Sequence, residues 1–164
     1  VVLELGAYMI KLTGNGDNIQ ENKEKMIENI QNGKAYNKFL EMVKNQNGDI
    51  SYIENIEKFE KAKYIIPVYS KQEGYIHEIN AEEVGKLACK LGAGRVKKED
   101  EIDKTVGIEI CKKVSDYVQV EDILAYIHLN TEEKIEESTN ELLDIFKITK
   151  DTKEKEKIIF GVIK

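Results

Sequence analysis

The side chains that most often carry metal or nucleophilic chemistry are few in this sequence. The histidines are His77 and His128, and the cysteines are Cys89 and Cys111. A zinc site needs several such ligands at suitable spacings, and no third ligand is indicated here. No Ser or Cys lies in a nucleophile motif such as GxSxG. We therefore expect structural or solvent-facing histidines, small buried cysteines and no metal site.

The segment 92–103, with the sequence GAGRVKKEDEID, could bind an anion or carry acid–base chemistry. Its arginine, Arg95, is the only arginine among 25 lysines and arginines, and a guanidinium can bind phosphate. Its carboxylates could act as a general acid and base. Phosphate loops, however, follow a strand and open a helix, whereas these glycines follow a predicted helix and end it. We therefore favour a structural loop that Arg95 ties to the domain body, with the structural residues Gly92, Gly94, Arg95, Asp100 and Asp103.

The composition excludes several classes of protein. The 164 residues carry a net charge of −6 and are 41% hydrophobic, which is enough apolar material for a core. The acidic balance disfavours sequence-independent binding to nucleic acid. No apolar run reaches the roughly 18 residues of a membrane span. The two cysteines form no CxxC pair, which indicates a reducing compartment. We expect a cytoplasmic protein without a nucleic-acid or membrane partner.

Three short helical patterns occupy the first part of the chain. Apolar residues recur at helical spacing in 1–12, 19–32 and 34–46. Asn18 is predicted to cap the second helix, with Glu21 three residues later. Helices this short would bury little on their own, so we expect them to pack on another part of the protein. The chain also opens in a helical pattern without a methionine, and we expect it to be the C-terminal part of a longer protein.

The remainder of the chain predicts strands and two helices, hence an α+β fold. Pro67 makes the first strand an edge strand or a bent one. The last strand has to pair within the fold, because an exposed apolar edge is prone to aggregate. Strands are predicted at 64–69, 74–79, 106–110, 123–128 and 158–163, and helices at 81–91 and at 131–146, the latter capped by Asn130.

Several motifs taken together resemble one enzyme family. The run 92–108, with the spacing GAGRxxKEDxIDxxVGI, is the most specific of them. The segments LELG at 3–6, GYI at 74–76 and AYIH at 125–128 fit the same pattern. Together they resemble the C-terminal part of pyrimidine-nucleoside phosphorylase, a family that includes thymidine phosphorylases. The resemblance covers essentially the whole chain.

The resemblance implies a fold and an activity. It implies an α/β hammerhead domain at 64–164, with a mixed or antiparallel sheet and two helices, and a connector at 49–63. Residues 1–48 would be the helical tail of a large α/β lobe. The implied reaction is a pentosyl transfer, in which phosphate attacks C1′ of a pyrimidine nucleoside and gives the free base and a pentose 1-phosphate. Phosphate is then a co-substrate, and no cofactor is implied.

The residues that perform catalysis in the family have no counterpart in this chain. The phosphate-binding Lys-His-Ser-Thr-Gly-Gly loop and the Arg, Ser and Lys that grip the base are all missing. The resemblance therefore implies an inactive structural buttress, whose partner is the missing N-terminal part of the same enzyme, and an intact enzyme that is a homodimer. The chain also carries Val120-Glu121 where the resemblance leads us to expect Lys-Gly in a hairpin.

A second hypothesis comes from the segment 112–127. It resembles the hairpin of biotinyl- or lipoyl-carrier domains, which would make the chain a stand-alone binding or carrier module of hammerhead or barrel-sandwich fold. Those carriers hold a modified lysine at a sharp hairpin tip, and no such tip is visible here. The two hypotheses differ in whether a long coding sequence precedes Val1.

Overall fold

The computed structural model of the chain describes residues 1–95, 97–155 and 157–163. Internal contacts divide the chain into two units. The helical unit comprises residues 1–59 together with the C-terminal segment from 157, and the mixed unit comprises residues 60–156. Helices and antiparallel sheets account for the regular structure, which confirms the predicted α+β class.

The helical unit contains the three helices that the apolar spacing predicts. Asn18 caps the second of them as predicted, because its Oδ1 accepts hydrogen bonds from the backbone N–H groups of Gln20 (2.9 Å) and Glu21 (3.3 Å). The elements of this unit are α1 (Val2–Leu12), α2 (Ile19–Gln31), α3 (Lys34–Asn45), α4 (Ser51–Glu54) and a 3-10 turn at Ile56–Lys58.

The helical unit buries few side chains. Ala7 of α1 and Asn22 of α2 are fully buried, and α3 has no buried residue. The Nδ2 group of Asn22 donates to the carbonyl oxygens of Ala7 (3.2 Å) and Gly16 (2.9 Å), and these hydrogen bonds hold α1, the following turn and α2 together. One side of α1 carries an exposed apolar stripe, which consists of Val2, Leu5, Met9 and Leu12.

The mixed unit contains two antiparallel sheets of three strands, with the orders β1-β5-β3 and β4-β2-β6. Pro67 lies in the edge strand β1, as predicted, where its missing N–H interrupts no central ladder. The first four strands predicted for this unit, and the helix predicted at 81–91, form within one residue of their predicted bounds. The elements are β1 (Tyr64–Tyr69), β2 (Gly74–Ile79), α5 (Ala81–Leu91), β3 (Gly107–Ile110), β4 (Tyr117–Val118), β5 (Ile123–Leu129), a 3-10 turn at Glu132–Lys134, α6 (Ile135–Ile145) and β6 (Phe146–Thr149).

One hydrophobic core joins both sheets to α5 and α6. The strand β5 is central in its sheet and contributes buried side chains to the core along its length. The other strands and both helices contribute side chains to the same core. The largest side chains of the core that are buried almost completely are Val68, Ile76, Leu87, Val118, Leu124, Ile127, Leu129 and Leu142.

The prediction of a strand at 158–163 is wrong. No strand forms there, and the side chains of Ile158, Phe160 and Ile163 are 77%, 93% and 100% exposed. Both sides of β2 are already occupied, by β4 and by β6. An apolar run of this length does not by itself distinguish a paired strand from an exposed apolar segment.

The helix predicted to reach residue 146 ends one residue earlier, and a strand follows it directly. Phe146 and Ile148 pair with Ile79 and Ile76 of β2, so the helix runs into β6 without a loop. Neither Gly nor Pro separates the two elements, and the sequence therefore contains no stop signal between them. The alternation of Phe146-Lys147-Ile148-Thr149 is the signal that indicates the strand.

The turn that joins β4 to β5, which belong to different sheets, contains a strained residue. Asp122 N–H donates to the carbonyl of Gln119 (3.1 Å), which closes a four-residue turn around Val120 and Glu121. Glu121 has a φ of 71°, a left-handed conformation that turns of this kind usually assign to glycine. The glycine expected at this position would therefore suit the backbone better than glutamate does.

We predict that Glu121→Gly stabilises the mixed unit by about 0.5–1 kcal/mol. Relief of the left-handed strain, on the order of 1–2 kcal/mol, exceeds the extra entropy that glycine adds to the unfolded chain. Denaturant unfolding measures the difference. Gln119→Gly is the matched control in the same turn, because Gln119 does not have a positive φ, and it should be destabilising. A loss of stability in Glu121→Gly would contradict this account.

Candidate functional site

The loop that follows α5 is closed at its base by the backbone. Gly92 ends α5 with a φ of 111°, and its carbonyl accepts a hydrogen bond from Asp103 N–H at 3.0 Å. Gly94 packs against α5 so closely that a Cβ there would lie 2.5 Å from Sγ of Cys89. Gly92 thus provides the left-handed residue at the end of α5, and Gly94 lets the chain pass close to the helix. Neither of them opens a helix, as a phosphate loop requires.

Asp103 is the anchor of this loop. Its Oδ1 accepts hydrogen bonds from the backbone N–H (2.9 Å) and the hydroxyl (2.6 Å) of Thr105, and its Oδ2 accepts one from Nδ2 of Asn130 (2.6 Å). Hydrogen bonds from Thr105, then from Asn130, hold the pKa of Asp103 below its ordinary value. The stability that this carboxylate contributes is therefore present above that ordinary pKa and is lost as the pH falls through the lowered one.

Asn130 joins three segments of the mixed unit. Besides its bond to Asp103, its Nδ2 donates to Oγ1 of Thr105 (2.9 Å), and its Oδ1 accepts from the backbone N–H of Lys63 (2.7 Å). The prediction that Asn130 caps the following helix is wrong, because its side chain points back to the loop and to the start of β1. Residues Asp103, Thr105 and Asn130 form what we call the Asn130 hub.

Arg95 lies outside this hub. Its side chain is exposed, and it forms no hydrogen bond or ion pair with another residue that the structure describes. The tie that we predicted for Arg95 is thus not made by the described part of the chain, and Asp103 makes it instead. Asp100 has a local role, since its Oδ2 accepts from the backbone N–H of Lys97 at 2.7 Å. Val96, next to Arg95, is outside the described residues.

The histidines and cysteines do not form a reactive group. His128 lies with its Nε2 3.7 Å from Oε2 of Glu109 on the neighbouring strand, and His77 is exposed on β2. Both cysteines are free, and Cys111 is exposed, so its predicted burial is wrong. Desolvation, with the charge of Glu109, raises the pKa of the Cys111 thiol. Among residues 1–95, 97–155 and 157–163, no cluster of three His, Cys, Asp or Glu could hold a metal ion.

A charged cleft of about 450 Å³ lies between β2 and two loops of the mixed unit. Sequence reasoning missed it, because its residues are far apart along the chain. Glu78 is bound by Lys147 at 2.6 Å, an interaction that lowers the pKa of Glu78. The cleft is thus a mixed electrostatic surface rather than an acid–base site. The charged residues that line it are Glu78, Lys113, Asp116, Lys153 and Lys155.

We predict that Asn130→Ala lowers the free energy of unfolding of the mixed unit by about 1–3 kcal/mol, because it removes hydrogen bonds that include one to a carboxylate. Denaturant titration measures the loss. Thr131→Ala is the matched control, since the neighbouring Thr131 side chain makes no capping hydrogen bond.

Arg95→Lys provides the contrast within the same loop. Its effect should stay within about 0.5 kcal/mol, as for an exposed side chain without a partner among the described residues. If Arg95→Lys proved as destabilising as Asn130→Ala, the loop would be held by Arg95 after all.

Comparison with known proteins places this architecture in a family. Residues 75–149, from β2 to the end of β6, match the family model described as the pyrimidine nucleoside phosphorylase C-terminal domain. The chain is similar to the pyrimidine-nucleoside phosphorylase of Bacillus subtilis (strain 168), with 40% identity over 153 residues, 93% of this chain and 35% of the relative. It is also similar to the enzymes of that name from Staphylococcus epidermidis and Staphylococcus aureus (strain USA300), with 42% and 38% identity over 133 residues.

These alignments define which part of the relatives the chain represents. The two staphylococcal alignments cover 81% of this chain and 31% of each relative. The chain therefore spans about a third of the length of the relatives that it matches. The chain belongs to the pyrimidine-nucleoside phosphorylase family, and its residues 75–149 are the C-terminal domain of that family.

Proposed function

We propose that this chain is the C-terminal part of an enzyme that cleaves pyrimidine nucleosides with phosphate. A phosphate oxygen attacks C1′, the glycosidic bond breaks, and the products are the free base and a pentose 1-phosphate. The observation that carries the proposal is the 38–42% identity, over 81–93% of the chain, to proteins named pyrimidine-nucleoside phosphorylase. An oxocarbenium-like transition state needs a positioned phosphate and stabilisation of the departing base.

The chain's role in that enzyme is structural, as a buttress of the phosphate-side wall of the cleft. Two observations support this role. The polar groups of the Asn130 hub are engaged with each other and with backbone rather than facing a cavity. The two carboxylates that line the charged cleft are both engaged, Glu78 with Lys147 and Asp116 with the backbone N–H of Lys113. The residues that act on phosphate and base then belong to the part of the enzyme that precedes this chain.

The apolar stripe of α1 supports a partner within the same enzyme. The apolar side chains of Leu5 and Met9 lie on the same side of α1, yet they are 59% and 66% exposed. About two thirds of each relative has no counterpart in this chain. We propose that this preceding part covers the stripe, that the intact enzyme is a homodimer, and that it works in the cytoplasm. Among the described residues, no helix has the length and apolar character needed to cross a membrane.

The carrier hypothesis has less support. A carrier of this kind needs a lysine at the tip of a hairpin. Here β4 and β5 belong to different sheets, and the turn that joins them holds Val120 and Glu121. Neither the Val120 nor the Glu121 side chain has an amine to which a cofactor could be attached.

We predict that the isolated chain releases no free base above background from uridine or thymidine in the presence of phosphate. Addition of the preceding part of the enzyme, produced as a separate chain, should restore release of the base. The assay is chromatographic detection of uracil or thymine. Turnover by the pure chain would contradict the assignment of catalysis to the preceding part.

Variants of the α1 stripe test how the two parts associate. Leu5→Asp and Met9→Asp should weaken the restoration, because each places a charge in the proposed contact, and both side chains are exposed in the chain itself. Lys11→Asp on the same helix is the control, because Lys11 lies outside the stripe. Equal effects of all three substitutions would contradict docking through the stripe.

A further inference from the structure

The sequence contains three Asn-Gly pairs, and all three lie at the ends of helices in the helical unit. They are Asn15-Gly16 after α1, Asn32-Gly33 after α2 and Asn47-Gly48 after α3. Such a pair is the backbone most prone to spontaneous deamidation, because glycine has no side chain to hinder attack by its own nitrogen. The attack needs that glycine N–H to be free of other bonds.

The three pairs occupy different positions of the same helix-ending motif. In this motif the two residues beyond the helix cap donate their N–H groups back to the last turn. After α3, Gly48 is the second of these residues, and its N–H donates to the carbonyl of Val43 at 2.9 Å. After α2, Gly33 is the first, and its N–H donates to Ile30 at 3.3 Å. Both glycine nitrogens are thus engaged.

The pair after α1 is displaced by one residue along the motif. There Gly14 and Asn15 are the two donors, to Lys11 (3.0 Å) and Ile10 (3.2 Å), so Gly16 lies beyond the motif. The Gly16 N–H donates to no backbone or side-chain group of the described residues. The Asn15 side chain is exposed and is held by a single hydrogen bond, from its Nδ2 to Oγ1 of Thr13 at 2.9 Å.

The asparagines of the other two pairs differ from Asn15 as well, Asn32 in its side chain and Asn47 in its backbone. Oδ1 of Asn32 accepts a hydrogen bond from the backbone N–H of Lys34 at 3.1 Å, which turns this amide toward α3. Asn47 has a φ of 59°, the left-handed conformation of the motif itself. Among the described residues, only the pair after α1 combines an exposed asparagine with a glycine nitrogen that donates no hydrogen bond.

We propose that Asn15 is the site of spontaneous deamidation in the folded chain. The Gly16 nitrogen attacks Cγ of Asn15 and a C–N bond forms. The Cγ–Nδ2 bond breaks, and the proton of the Gly16 nitrogen passes through water to the departing nitrogen, which leaves as ammonia. Water then opens the cyclic imide. Opening at Cγ gives aspartate, and opening at the main-chain carbonyl gives isoaspartate. Either product adds one negative charge.

The isoaspartate form would disturb one of the two hydrogen bonds by which the buried Asn22 side chain links α1, the following turn and α2. It inserts a methylene into the main chain just before Gly16, whose carbonyl accepts the hydrogen bond from buried Asn22. Gly16 has no room to shift toward Asn22, because a Cβ on it would lie 2.2 Å from Oδ1. We therefore expect isoaspartate to loosen the link between α1 and α2, and aspartate to leave it intact.

The test is to age the folded chain at mildly alkaline pH and to follow the three pairs by peptide mapping with mass spectrometry. Asn15 should deamidate roughly tenfold faster than Asn47, the ratio that corresponds to about 1.4 kcal/mol for one protecting hydrogen bond. The deamidation rate of Asn32 should lie between these two rates, because the hydrogen bond of the Gly33 N–H is longer than that of the Gly48 N–H. In concentrated urea the three rates should become comparable, since the dipeptide is the same.

Matched variants complete the test. Asn15→Gln should remove most of the charge gained by the folded chain, because glutamine would have to form a larger ring, whereas Asn47→Gln should leave that gain unchanged. The proposal is overturned if Asn15 reacts no faster than Asn47 in the folded chain. It is equally overturned if the advantage of Asn15 persists in urea, because neighbouring sequence rather than structure would then be its cause.

Discussion

Burial of β5 between its two neighbours is the constraint on which the mixed unit depends. Leu124, Ile127 and Leu129 are at most 1% exposed, and each contributes about 1.5–3 kcal/mol by leaving water. Ile127 lies opposite Ile66 in β1 and opposite Ile108 in β3. A slip by one residue would turn Ile127 and Leu129 toward the wrong face, so the core also fixes the register of both neighbours.

The position of the Asn130 hub follows from that register. Asn130 comes directly after Leu129, and the pairing of Tyr64 with Leu129 brings Lys63 within reach of its side chain. The loop after α5 is then fastened to the same corner through Asp103. The segment that most strongly indicates the family thus serves loop geometry.

Periodicity and turn chemistry predicted most of the fold, because they are local. The helices, four of the strands, the Asn18 cap and the left-handed Gly92 follow from short stretches of sequence. The errors concern interactions that span the chain. The partner of Asn130 lies 27 positions away in Asp103, which no local rule can identify. The lone arginine drew attention by its rarity, yet rarity does not locate a side chain's partners.

The two units differ most in what they bury, and native-state hydrogen exchange tests that difference directly. Amides of β5 should be the slowest to exchange and should open together with the rest of the mixed unit, because they share one core. Amides of α1, α2 and α3 should exchange faster in the isolated chain, since that unit buries few side chains. Equal protection in both units would contradict the claim that burial around β5 carries the stability of the chain.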